Sequence, residues 1–180
     1  MDLWHVDLNI SEQKFKGEGL HTIKIALPKN YYVFLFDLKA VYHYVDIFSN
    51  HHKYLAFSWN FGTGYVRHFQ FTVLPFVLSS APFIFTRLLE PLETQWRRQG
   101  IPIATFFDYG IGAGSPLNSA KINSSIVRAD LSHCSLEIHK EKFNWEPERK
   151  FSWIGYNLDA KTRLNFASCG PLAVEMSHKS

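Results

Sequence analysis

Residues 31–37 read YYVFLFD, six aromatic or aliphatic side chains closed by an aspartate. An unbroken apolar run dense in aromatic and β-branched residues fits a buried strand, and Pro28-Lys29-Asn30 supplies a turn ahead of it. Asp37 therefore ends that strand. A carboxylate there is either a local cap or a functional group held by rigid scaffold, and the strand alone does not choose between them.

Moving outward, Tyr54 to Trp59 and Tyr65 to Leu74 are strand-like, the second alternating Phe69, Phe71 and Val73 with His68, Gln70 and Thr72. The intervening NFGTG, residues 60–64, makes them a hairpin. Ser79 and Ser80 are candidate helix N-caps, Pro82 suits a first helical turn, and Phe85, Leu88, Leu89, Leu92 and Trp96 form a stripe at helical spacing. Arg97 and Arg98 favour the C-terminal end of that helix and Gly100 its stop, while Pro91 predicts a kink or an early end. Ile101 to Phe107 is a second strand that delivers an aspartate, Asp108; the GIGAG that follows at 110–114 reads as a β-turn. Pro116 to about Ser132 reads as a second helix, and Ser135 to His139 and Phe151 to Leu158 as later strands. This order predicts an α+β fold, an antiparallel sheet with helices packed on one face.

Composition bounds the function classes. At 180 residues, 46% hydrophobic and 19% charged, the chain fits one packed domain and poorly fits a disordered, collagen-like or coiled-coil class. A net charge of +3 permits phosphate contact without requiring it. Cys134 and Cys169 show no CxxC spacing, so neither a disulfide framework nor a zinc ribbon is implied. MDLWH at the N-terminus lacks the pattern of a secretory leader, so an intracellular location is expected, with cytoplasm and nucleus both open. The uncharged stretch 69–86 carries Pro75, Pro82, Gln70 and two serines, so no membrane partner is expected. The 16 Phe, 8 Tyr and 5 Trp mark a ring-rich chain, most simply in its core.

Two strand-borne carboxylates, Asp37 and Asp108, suit hard cations such as magnesium, the ions that serve nucleotidyl transfer in pairs. Spacing alone also fits ordinary capping and turn roles. GIGAG is not a nucleotide loop: GxGxxG needs glycine where Ser115 stands, and no GK[ST] follows. His133, Cys134 and His139 are three of the four ligands a structural zinc takes, without the paired spacing. No GxSxG elbow is present, the doublet His51-His52 reads as a solvated turn, and the charged clusters at 140–142 and 146–150 read as surface.

Around the two aspartates, FDLKAVYHYVDI (36–47), FTVLPFVLSSAPFIFTRLLEPL (71–92) and FFDYG (106–110) together resemble reverse transcriptases, most closely those of DIRS-group retrotransposons. In that family a strand-borne Asp, an LPFG-type loop with its helix and a [YF]xDD hairpin arrive in this order. SLEIHKEKFNWEP (135–147) and FSWIGYNLD (151–159) resemble the next two motifs, and KFKGEGLHTIKIALPKN (14–30) the lead into the palm. The resemblance implies an RNA-directed DNA polymerase working on a template, RNA or DNA, with a primer and dNTP. It implies a fingers remnant at about 1–30, a palm at about 31–160 and a tail at 161–180, with thumb and RNase H regions absent.

It further implies that Asp37 and Asp108 are catalytic and hold two Mg2+ ions. Tyr42 becomes the gate against a 2′-hydroxyl. Leu74, Pro75 and Phe76, within 74–80, line the nucleotide and template pocket, and Lys142 stands near the leaving pyrophosphate. Three positions depart from the pattern: Tyr109 replaces the second aspartate of the hairpin motif, and Val41 and Val77 stand where glycine or another small residue is usual. Loss of an anionic oxygen from a site that works by charge stabilisation predicts impaired catalysis. The alternative is a catalytically silent remnant that binds nucleic acid by ring stacking and phosphate contact.

Overall fold

The computed structural model describes residues 10, 30–62, 64–139, 144–153, 156–161 and 167–168. Strands β1 to β9 span Tyr32–Asp37, Ala56–Asn60, Val66–Gln70, Ile103–Phe106, Tyr109–Gly114, Asn144–Glu148, Lys150–Trp153, Tyr156–Asp159 and Ala167–Ser168. Helix α1 is Ala81–Arg98 and α2 is Leu117–His133; two 3-10 segments cover Val41–Tyr44 and Ser49–Leu55. The chain divides into two compact units, Met1–Lys16 with Ala40–Glu90, and Gly17–Lys39 with Pro91–Ser180.

The second unit is built on a four-stranded sheet in the order β4-β5-β1-β6, with antiparallel pairing throughout. GIGAG is not a β-turn, as its glycines suggest, but the body of β5, running opposite β1 from Tyr32↔Gly114 to Asp37↔Tyr109. The reason is steric. Phe36 pairs with Gly110 and Phe34 with Gly112, and a Cβ on either glycine would overlap the ring opposite it. A Cβ on Gly114 would lie 2.6 Å from the Ala120 backbone of α2, so this glycine sets how closely helix and sheet approach.

On that face Phe34 and Phe36 stack on Trp145 at centroid distances of 6.0 and 5.8 Å, and Phe36 meets the edge of Trp96 at 6.4 Å. Trp96 is fully buried, and its indole N–H donates to Asp130 Oδ2 at 2.8 Å, joining the end of α1 to α2. The opposite face packs Val33, Ala104, Ile111 and Ala113 against Phe151, Leu158 and Ala160, the last contributed from the β7–β8 hairpin and its end. Helices on one face of an antiparallel sheet match the expected fold class.

One local expectation is corrected and two are narrowed. Ser135 to His139 is not a strand: Ser135 takes φ 58° just after α2, and the Leu136 N–H returns to the Leu131 carbonyl at 3.0 Å, a left-handed helix stop. Only a single bridge, Leu38↔Ile138, forms there. The charged stretch beginning at Glu146 is at the surface, as expected, and is also largely strand: Trp145 and buried Pro147 alternate with exposed Glu146 and Glu148 along β6, the edge strand where a residue lacking N–H is tolerated. Of the two outcomes expected at Pro91, the early end does not occur, because α1 continues to Arg98.

In the first unit, hairpin β2–β3 pairs Ala56↔Gln70 through Asn60↔Val66. Its core is Leu55, Leu74, Leu78 and Ala81, with Tyr42, Val77 and Ile84 among the partly buried side chains against it. Among the described residues no helix is long and apolar enough to cross a membrane.

Candidate active site

The β1–β5 register decides the site. Asp37 is the last residue of β1 and lies directly opposite Tyr109, the first of β5. Side chains alternate along a strand, so Asp37 and Tyr109 share the face of Val33 and Ile111 rather than the face of Phe34 and Phe36. Phe107 and Asp108 are the two turn residues between the paired Phe106 and Tyr109. Phe107 has φ 56°, as the first central position of a tight hairpin turn requires, although glycine is the usual occupant. This turn sets Asp108 beside the end of β1.

Backbone hydrogen bonds hold both carboxylates in place. The Leu38 N–H donates to the Asp108 carbonyl at 2.8 Å, and the His139 N–H donates to the Asp37 carbonyl at 2.8 Å. The Lys39 N–H continues the ladder to the Glu137 carbonyl at 2.8 Å. Asp37 is only 2% exposed. The Tyr109 side chain hydrogen-bonds to Asp37, the phenol donating to the carboxylate. Burial pushes the Tyr109 hydroxyl above its ordinary range, and the charges of Asp37 and Asp108 with that hydrogen bond push it the same way. The phenol is therefore neutral at physiological pH.

The donor set fits a hard divalent cation: two carboxylates at adjoining strand ends, fixed through their backbones. Position 109 adds a neutral phenol rather than a third carboxylate. Among the described residues, no group of three or more His, Cys, Asp or Glu side chains is arranged to hold a metal ion.

The remaining expected site residues divide between the units. Asp37, Asp108 and Tyr109 come together in the second. In the first, Tyr42 packs edge-on against Phe85 with centroids 6.0 Å apart, Val41 is buried, and Val77 packs on the local core. Leu74 is fully buried and Pro75 buried, whereas Phe76 is 71% exposed, so Phe76 is the accessible side chain of the three. Lys142 lies outside the described residues. Sequence reasoning marked Tyr109 as a lost ligand but missed its bond to Asp37, which depends on strand register. It also missed the turn role of Phe107, which no composition signal carries.

The comparisons bear on the fold and the family. A foamy viral protease-reverse transcriptase, solved in complex with double-stranded DNA, superposes with a TM-score of 0.77 at 17% identity. The match covers 93% of this chain and 28% of that one. No curated protein matches. The family model described as reverse transcriptase (RNA-dependent DNA polymerase) matches residues 6–158, which takes in both carboxylates, the 74–80 loop and both helices. The chain thus belongs to the reverse transcriptase family.

Proposed function

We propose that this chain is a palm-type part of a retroelement reverse transcriptase, akin to the DIRS group, in which nucleotidyl transfer onto a primer is impaired at position 109. The observation that carries this reading is the pairing of Asp37 with Tyr109, whose phenol donates to the carboxylate where a second aspartate would provide a ligand. Asp37 and Asp108 are the residues that would hold magnesium. Once bound, the cation supplies positive charge to the phosphoryl oxygens as they gain negative charge.

The chain's own residues position rather than transfer protons. β1 and the Phe106–Tyr109 turn fix the carboxylates, Tyr42 would sit beneath the sugar of an incoming dNTP, and Phe76 would meet the nucleotide or template. Tyr109 opposes the chemistry in two ways: it occupies a lone pair of Asp37, and it fills the site with a ring where a small anion is required. A second reading, nucleic-acid binding without catalysis, draws on the same tyrosine.

Primer extension on an RNA template with magnesium tests the proposal. Tyr109→Asp should raise extension on the order of a hundredfold, and Asp37→Asn in that background should abolish the gain. Absence of extension in every variant, all folded by circular dichroism, would reject position 109 as the main defect.

A further inference from the structure

The β2–β3 hairpin has a composition that the catalytic reading does not use. Its register puts Phe57 and Trp59 on one face with Arg67 and Phe69, while Ala56, Ser58, Asn60, Val66, His68 and Gln70 take the other. Beyond the paired strands the Phe61 ring lies against Phe69 and Arg67 of the first face, and Tyr65 follows from the alternation that sets Arg67 and Phe69 there. The first face is almost wholly aromatic, yet it is open to solvent: Tyr65 is 78% exposed, Phe61 58% and Trp59 52%. Phe57 and Phe69 stack at 5.4 Å and the edge of Phe61 meets Phe69 at 6.1 Å, forming a continuous ring surface.

Charge indicates the occupant. No aspartate or glutamate occurs between Asp46 and Glu90. Cations lie against the exposed rings: the Arg67 guanidinium is 5.8 Å from the Phe61 centroid, and the Lys53 ammonium 5.0 Å from that of Tyr54, itself 60% exposed. Open ring faces with interleaved cations and no local anion complement a strand whose bases are unstacked and whose phosphates are negative. Residues two apart on a strand are about 6.6–6.8 Å apart, twice the roughly 3.4 Å spacing of stacked bases, so a base has room between neighbouring rings.

We infer that the aromatic face of this hairpin is a stacking platform for unpaired nucleotides of a single strand, with Trp59, Phe61 and Tyr65 taking bases and Arg67 taking phosphate. The class of occupant rests on the reverse transcriptase reading, whereas the location rests on the hairpin alone.

Fluorescence anisotropy on the full chain, at one fixed salt concentration, would compare a labelled 12-nucleotide oligo(dT), an abasic strand of equal length and a primer–template duplex. The platform requires oligo(dT) to bind at least tenfold more tightly than the abasic strand. Trp59→Ala with Tyr65→Ala should weaken oligo(dT) binding tenfold or more and leave abasic binding unchanged, while Trp59→Phe retains most of the affinity. Both side chains are exposed, and a thermal melt confirms that the variants fold.

Equal affinity for the two strands, or a double variant that binds oligo(dT) like the parent, overturns the platform. So does sedimentation showing a dimer that the double variant loses, since a second copy would then be the occupant. Duplex binding separates the two ideas: if it persists while the preference for bases is absent, only the platform fails, and a chain that binds none of the three ligands refutes the nucleic-acid reading as well.

Discussion

At the residue scale, Tyr109 links the sheet to the chemistry. Its proton is held by burial and by two neighbouring carboxylates, so the folded state binds that proton more tightly than the unfolded chain does. This contribution to stability is complete below the ordinary tyrosine value near 10 and is lost as pH rises through the higher folded value. Thermal melts from pH 8 to 11 should show a fall in stability beginning at about pH 10, and Tyr109→Phe should reduce that fall; an identical decline in the variant would show that other groups cause it. The glycines of β5 offer a separate test. Gly112→Ala should cost about 1–3 kcal/mol through overlap with Phe34, and Phe34→Leu should recover part of that loss in a double-mutant cycle of denaturant melts. Asp37 was legible in the sequence because it closes an apolar strand, and Asp108 because it follows one, although it stands in the turn two residues past the end of β4. The purpose of the glycines was not, because glycine signals a turn locally, and only a phenylalanine 74 or 78 positions away in the chain explains its absence of side chain.

At the element scale, burial overrides local propensity. Pro91 forfeits one helical hydrogen bond, yet α1 continues because Phe85, Leu89 and Trp96 on either side of it are all essentially buried. The helix stripe except Leu88, which is 49% exposed, its Arg97-Arg98 end and the Gly100 stop were therefore readable, while the outcome at Pro91 was not. Strand β6 was hidden for a related reason: Glu and Pro are poor strand formers, and the inward Trp145 and Pro147 give only two apolar positions. The same strand gives Trp145 its place against Phe34 and Phe36. Because the Trp96 indole bridges to Asp130 of α2, Trp96→Phe should lower stability by about 1–3 kcal/mol, measured by urea unfolding. Asp130→Asn, which keeps an acceptor oxygen, should cost less.

At the scale of the whole molecule, the two units differ in how much of their backbone is shielded. β1 and β5 are interior strands with mostly buried side chains, whereas β2 and β3 form a two-stranded sheet exposed on both faces. Amide hydrogen exchange should be slowest in β1 and β5 and at least tenfold faster in β2 and β3, since a hairpin of two strands is marginal by itself. Equal protection in both would mean that the hairpin opens only with global unfolding. The family assignment was legible because several short motifs keep their order along the chain; the fold persists at 17% identity because register and burial constrain it more than individual side chains do. Pro147 carries a further consequence. An open sheet can add strands at its margins, and a flat apolar margin lets one chain template the next into a fibre. Along β6 the missing proline N–H and the exposed Glu146 and Glu148 oppose such addition at this margin of the sheet.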